Sequence, residues 1–456
     1  MRLRIILRNI LNNMEILIRI LQFLVSLSIL VIIHELGHFI MAKVFKTRVE
    51  KFYLFFDAWF SIFKFRRGET EYGMGWIPLG GYVKISGMID ESMDVEQMKK
   101  PPQPWEFRSK KAWQRLLIMT GGVIFNFLLA LLIYVFILFV WGKTYLPTEN
   151  AVYGIVTDST GLAMGLRNGD KILSVDNQHI ENFDDILKDI ILNKRTSIQV
   201  ERNGEKVNVP IPDDYVPNLL KGRGTFEVRA PFGPFVVKDY PKHSPAKDAG
   251  VLKGDELAGI DSVTFSYYDE FQTYLKKNIN KTVVLQIIRD GERIEIPMTI
   301  AADGKLGVLA ERSPSMYFEM KTLRYGFFES IPAGIARGFR EMGDYLKQFR
   351  LIFSKDTKAY ESLGGFITIG SIFPAQWDWL SFWNVTAFLS IILAVMNILP
   401  IPALDGGHVM FLLFEVVTGR KPSDKFLEYA QIAGMIILFS LLIFANGNDI
   451  IRLIRK

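Results

Sequence analysis

Four apolar runs constrain this chain more than any other feature. They lie at about residues 18–42, 116–140, 381–404 and 426–444. Each is long enough to cross a bilayer hydrocarbon core of about 30 Å as a helix. Lipid offers no hydrogen bonds to an exposed backbone, so such runs must close their own within a helix. Arg2, Arg4 and Arg8 precede the first run, as in a targeting peptide, but no small-residue cleavage site follows it. The first run is therefore expected to remain as a span. The composition suits a mixed molecule, with 49% of residues hydrophobic and 22% charged. That is too apolar for a disordered chain and too polar for one lying wholly in lipid. The net charge of +6 comes with no arginine-rich tract or nucleic-acid motif, so no nucleic acid is expected as a partner.

Between the second and third runs the pattern changes. Short alternating segments such as Ser197–Val200 and Val283–Arg289 read as strands, with hairpin turns at Asn203-Gly204 and Asp290-Gly291. Their surroundings, VERNGEKVNVPI and IIRDGERIEIPM, are alike. So are AMGLRNGDKI at 163–172 and DAGVLKGDEL at 248–257. Two matched blocks in the same order predict two copies of one small domain. Charge gives an orientation. The 43–115 loop carries 14 Lys and Arg against 9 Asp and Glu, and Arg420, Lys421 and Lys425 precede the last run. Both loops are expected on the cytoplasmic side and the central region outside. Arg2, Arg4, Arg8 and the basic C-terminal end weigh against that orientation.

The first run contains His34-Glu35-Leu36-Gly37-His38. Positions four apart share a helix face, so both imidazoles can reach one ion, with Glu35 beside them to address water. Ionisable residues inside a span are costly and mark function. The chain has no cysteine, so any further ligand must be nitrogen or oxygen. Near the end of the third run stand Asp405 and His408. The residue types alone leave either as the third ligand. Pro400 and Pro402 are expected to break the helix there, letting backbone line a cavity. Asn397, eight residues before Asp405, can hydrogen-bond an extended substrate backbone. Asn126, in Gly121-Gly122-Val-Ile-Phe-Asn126, reads as packing and hydrogen-bonding glue between helices.

HELGHF at 34–39 together with NILPIPALDGGH at 397–408 resembles the site-2 protease family of intramembrane metalloproteases, in particular its bacterial branch with tandem PDZ domains. IPLGGYVKISG at 77–87 and WQRLLIMTGGVIFNF at 113–127 extend the likeness over most of the chain. The resemblance implies a zinc ion held by His34, His38 and Asp405, with Glu35 as general acid and base and His408 only a neighbour. It also implies substrate contacts at Asn397 and Pro402. The implied fold is an α-helical membrane protein with four transmembrane helices, a membrane-associated β-hairpin element and two extracytoplasmic PDZ-like α/β domains. The β element falls on the aromatic-rich stretch 49–87, where an exposed edge can pair with an unwound substrate.

The domain boundaries expected are 1–141 for the N-terminal membrane half and 142–221 and 222–309 for the PDZ-like domains. A linker with an amphipathic helix covers 310–380, and the C-terminal membrane half covers 381–456. That amphipathic stretch is expected either along the membrane surface or supporting the soluble domains. Phe366 stands where relatives carry a proline. The implied location is the bacterial inner membrane with the active site facing the cytoplasmic side. The implied substrates are single-spanning proteins already trimmed outside, such as a membrane-bound anti-sigma factor, or remnant signal peptides. The competing reading is a non-catalytic membrane scaffold that holds partners through its PDZ pair.

Overall fold

The structure is a computed structural model that describes residues 2–88, 101–212, 215, 225–241, 243–310, 312–352 and 364–454. The expected boundary at 221/222 lies outside the described residues. The chain divides into two compact units, one gathering residues 1–142 with most of 324–456, the other centred on 143–323.

The first unit begins with helix α1 (Arg2–Val44). A four-stranded sheet follows, made of β1 (Val49–Phe56), β2 (Phe63–Arg67), β3 (Thr70–Met74) and β4 (Ile77–Ile85), in the order β2-β3-β1-β4. The β2–β3 hairpin sits at one end, and β4 pairs antiparallel with β1 and forms the other edge. This is the β element expected over 49–87. Helix α2 (Ala112–Val140) comes next and is the pillar of the unit, packing against the other helices around it.

The second unit opens with β5 (Lys143–Tyr145) and then runs through one plan twice. The first copy has β6 (Ile155–Thr157), α3 (Ser159–Met164), β7 (Lys171–Val175), α4 (Asp185–Asn193), β8 (Ser197–Arg202), β9 (Glu205–Pro210) and β10 (Phe226–Val228). The second has β11 (Val237–Asp239), α5 (Pro245–Asp248), β12 (Glu256–Ile260), α6 (Tyr268–Lys277), β13 (Thr282–Arg289), β14 (Glu292–Thr299) and β15 (Leu309–Ala310). Strand β16 (Lys321–Leu323) returns to pair with β5. The two predicted hairpin turns have positive φ at both central residues, as a two-residue hairpin requires.

Each copy has its own apolar core, around Ile186, Ile190 and Ile198 in the first and Phe271, Leu285 and Ile287 in the second. Each also buries one aspartate in the same way. Asp170 accepts from the Arg167 amide and from Arg202, which also donates to the Gly165 carbonyl. Asp255 accepts from the Leu252 amide and from Arg289, which also donates to Gly250. A buried carboxylate needs such partners, which is why the aspartate, the glycine and the arginine recur together.

Back in the first unit, α7 (Phe327–Ile352) is the predicted amphipathic helix. It lies along α2. Gly334 and Gly338 face Val135 and Leu131, Phe327 meets Phe139, and Phe339 meets Phe127. These contacts make α7 antiparallel to α2 and run it alongside that apolar helix. Short helix α8 (Phe366–Ser371) has its N-terminal amides capped by Asp449 and Asn446.

Helix α9 (Trp379–Ile398) ends earlier than the apolar run suggests. Prolines at 400 and 402 lack the N–H that a helix needs and disfavour helical geometry just before them. Ala403 takes a positive φ of 78°, and the chain restarts as α10 (Asp405–Thr418), a short helix that the apolar pattern did not separate from its neighbours. The last helix is α11 (Asp424–Ile454). Among the described residues, four helical segments are long and apolar enough to cross a membrane: Met14–Val44, Ala112–Val140, Trp379–Ile398 and Lys425–Ile454.

Candidate metal centre

His34 and His38 lie one turn apart on α1, facing α2. The two helices meet backbone to backbone at Gly37 and Gly121: a methyl group on Gly121 would sit 2.6 Å from the Gly37 carbonyl oxygen. One residue further, Gly122 provides the space for the imidazoles. A Cβ there would stand 2.5 Å from both His34 Cε1 and His38 Nε2. Three glycines thus bring α1 and α2 close and leave room for two rings.

Asp405 enters from the start of α10. Its Oδ2 lies 3.1 Å from His34 Nε2 and 3.3 Å from His38 Nε2, and the two Nε2 atoms are 3.3 Å apart. That oxygen is buried and makes no hydrogen bond. An orphaned carboxylate oxygen beside two imidazole nitrogens is costly by itself and suits a shared cation. Ligand atoms of all three residues lie within 4.8 Å of one another. Two imidazole nitrogens and one carboxylate oxygen match the ligands zinc takes in catalytic sites, where a fourth position stays open. The residues therefore fit the ion.

The His38 tautomer agrees. His38 Nδ1 lies 2.9 Å from the Ile118 carbonyl, which can only accept. Nδ1 therefore carries the proton, and Nε2 offers its lone pair. His34 Nδ1 faces Asn126 Nδ2 at 3.3 Å, so with the amide in this orientation Nδ1 accepts. Asn397 Nδ2 lies 3.4 Å from His34 Nε2, so the asparagine singled out in the sequence borders the metal site directly.

Glu35 projects toward the sheet. It is within electrostatic reach of His34, His38 and Asp405. A Cβ on Gly81 would lie 3.4 Å from Glu35 Cγ and 2.7 Å from Val31, so edge strand β4 runs against α1 at this level. Pro402 belongs to the helix break. Gly407 and Gly434 pack so closely on it that neither has room for a side chain. Gln431 Oε1 accepts from the Ala403 amide at 3.2 Å, bracing the same turn. An Arg115–Glu415 ion pair ties α10 to α2.

His408, the other third-ligand candidate, is absent from the metal-competent cluster among the described residues. His179 sits far along the chain beside Glu149 at 3.5 Å, on the surface of the second unit. Sequence reading missed the contact of Asn126 with His34. The signal was the four-residue step from Gly122 to Asn126, which puts both on the α2 face that receives the imidazoles.

Comparison with known proteins agrees with this chemistry. The model of peptidase family M50 matches residues 22–441. The protein named regulator of sigma-E protease RseP in Salmonella typhimurium is 28% identical, over 96% of this chain and 100% of the relative. Its Escherichia coli K12 namesake is 28% identical, over 95% and 98%. A Borreliella burgdorferi protein provisionally named a zinc metalloprotease is 29% identical, over 94% and 98%.

Proposed function

The chain belongs to peptidase family M50, the site-2 protease family, and is a zinc metalloendopeptidase; on that premise we propose that it cleaves transmembrane segments of pre-trimmed single-spanning proteins within the membrane. The observation that carries this reading is the convergence of His34, His38 and the orphaned Asp405 oxygen next to Glu35. His34 and His38 would hold the zinc through Nε2, and Asp405 through its carboxylate. A bound zinc ion supplies a Lewis acid that polarises the scissile carbonyl and makes a water molecule more acidic.

The chain's own residues do the rest. Glu35 takes a proton from the attacking water and returns it to the leaving amide nitrogen. Asn397 hydrogen-bonds the substrate backbone beside the metal, and Pro402 keeps the following turn non-helical, so that backbone lines the cavity. A substrate helix must open locally, because its internal hydrogen bonds shield the carbonyl. The opened segment adds to edge strand β4, which supplies a row of backbone groups next to Glu35. The place of the site, with β4 on one side and α2 on the other, supports this reading.

We read the two copies in the second unit as PDZ-like modules on the extracytoplasmic side and the protein as resident in a bacterial inner membrane. The names of the Salmonella and Escherichia relatives support a substrate in a sigma-factor pathway, such as a membrane-bound anti-sigma factor. Remnant signal peptides have the same single-span chemistry and form a second substrate class. The test is cleavage of a reporter transmembrane segment by wild type and Glu35→Gln, with zinc measured in both. We expect the variant to keep its zinc and lose cleavage. Equal cleavage would remove Glu35 from the mechanism.

A further inference from the structure

We infer that Asn126 is the positioning residue of the metal centre, whose side-chain oxygen accepts a hydrogen bond from His34 Nδ1 and so directs His34 Nε2 to the ion. The inference rests on the assignment of His34 as a zinc ligand. A neutral imidazole has one N–H and one lone pair. If Nε2 gives its lone pair to a metal, the proton sits on Nδ1, and a buried N–H needs an acceptor. His38 meets that need with the Ile118 carbonyl. For His34 the group at Nδ1 is the Asn126 amide, at 3.3 Å.

Asn126 is fully buried, and its Oδ1 has no hydrogen-bond partner although it lies away from water. An orphaned buried acceptor in the same amide that touches Nδ1 is the independent sign of its role. The Asn126 atom nearest Nδ1 is Nδ2, which can only donate, so in this orientation of the amide Nδ1 accepts. With the ion bound, a half-turn of the amide presents Oδ1 to Nδ1–H. The terminal torsion of asparagine is soft and roughly two-fold, so the exchange needs no backbone movement. A backbone carbonyl could serve only the second state. The amide serves both.

The backbone beneath is held in place. Ser390 on α9 donates to the Asn126 carbonyl at 2.7 Å, and both residues are buried. Gly122, four residues earlier on the same face, leaves the space that the two rings occupy. Helix α2 therefore contributes the space and the hydrogen bond, while contributing no ligand.

The experiment measures zinc affinity of the full-length detergent-solubilised protein by competition with a chromophoric chelator. Wild type is compared with Asn126→Leu, Asn126→Asp and His34→Ala. Loss of an outer partner of a ligating histidine weakens metal binding by roughly 10–100-fold, and that is the fall expected for Asn126→Leu. Asn126→Asp keeps the shape and the acceptor and loses the donor, so it should bind zinc within about threefold of wild type by the same reasoning. This second variant decides the matter even if the leucine variant does not fold. An Asn126→Asp affinity as low as that expected for leucine would overturn the acceptor role, because it would make the amide a donor to His34. Wild-type affinity in Asn126→Leu, with zinc lost in His34→Ala, would overturn the positioning role and leave the metal assignment standing. Retention of zinc by His34→Ala would instead bring down the metal assignment on which the inference depends.

Discussion

Replacing Gly122 by alanine tests the geometry of the metal centre with a single methyl group. Its Cβ would stand 2.5 Å from His34 Cε1 and from His38 Nε2, while ordinary contact begins at 3.4 Å. Both rings must therefore retreat, or α2 must move away, by about 0.9 Å. Metal–ligand distances tolerate only about 0.2 Å, so the shift is several times what a zinc site can absorb. Packing strain of this kind typically costs about 1–3 kcal/mol. If it falls wholly on the metal-bound state, zinc affinity drops by roughly 5–150-fold, since every 1.4 kcal/mol is a factor of ten.

The assay is chelator competition for zinc on purified protein, alongside cleavage of a reporter transmembrane segment. Gly343→Ala is the control. A Cβ at Gly343 meets nothing within 4 Å, and in a helix the exchange should be neutral or stabilising by up to about 1 kcal/mol. Wild-type zinc affinity and cleavage in Gly122→Ala would refute the view that α2 shapes the site by leaving space for the imidazoles.

Asp405→Ala should lose stoichiometric zinc while His408→Ala keeps it, measured by metal analysis after gel filtration; the reverse result would transfer the third ligand to His408. Gly434→Ala should lower reporter turnover without removing zinc entirely, because its methyl group would collide with the Pro402 backbone in the turn that delivers Asp405. The second repeat should lose protection in acid. Burial penalises the Asp255 carboxylate, but hydrogen bonds from Arg289 and the Leu252 amide outweigh that and hold its pKa below the ordinary 3.8. A depressed folded-state pKa gives stability that is present above the unfolded value and is lost as pH falls through the folded one. Hydrogen exchange in β12 and β13 of the full chain should therefore quicken below about pH 4, and Arg289→Gln should make exchange faster already at neutral pH. Unchanged exchange in that variant would show that the ion pair does not support the fold.

The features legible in the sequence are those that depend on neighbours along the chain. The length of the apolar runs identified the helices long enough to cross a membrane, and the spacing of His34 and His38 put both on one face. Asn203-Gly204 and Asp290-Gly291 marked their hairpins because only a few residues tolerate the backbone those turns require. The third apolar run was harder. Its hydrophobicity continues through residues 399–404, so composition alone runs past the break that Pro400 and Pro402 were expected to make and that ends the helix at Ile398. The separate helix at Asp405–Thr418 was missed for the same reason. Asn126 read as packing because its partner, His34, lies on another helix, and no periodicity within one helix reports what faces it.

By itself the sequence determined that this chain has four helices long and apolar enough to cross a membrane, that one of them carries a pair of imidazoles with a glutamate, and that a small domain plan is repeated. These follow from apolar length, helical period and turn chemistry, all properties of short stretches. The tertiary structure decided that Asp405 rather than His408 stands within reach of both imidazoles, why Gly37, Gly121 and Gly122 are glycines, and what Asn126 touches. Those outcomes depend on how closely α1 and α2 approach and on where a proline-bound turn aims Asp405. Metal binding is decided within a few tenths of an ångström, and only the packing of three helices against one another sets distances that finely.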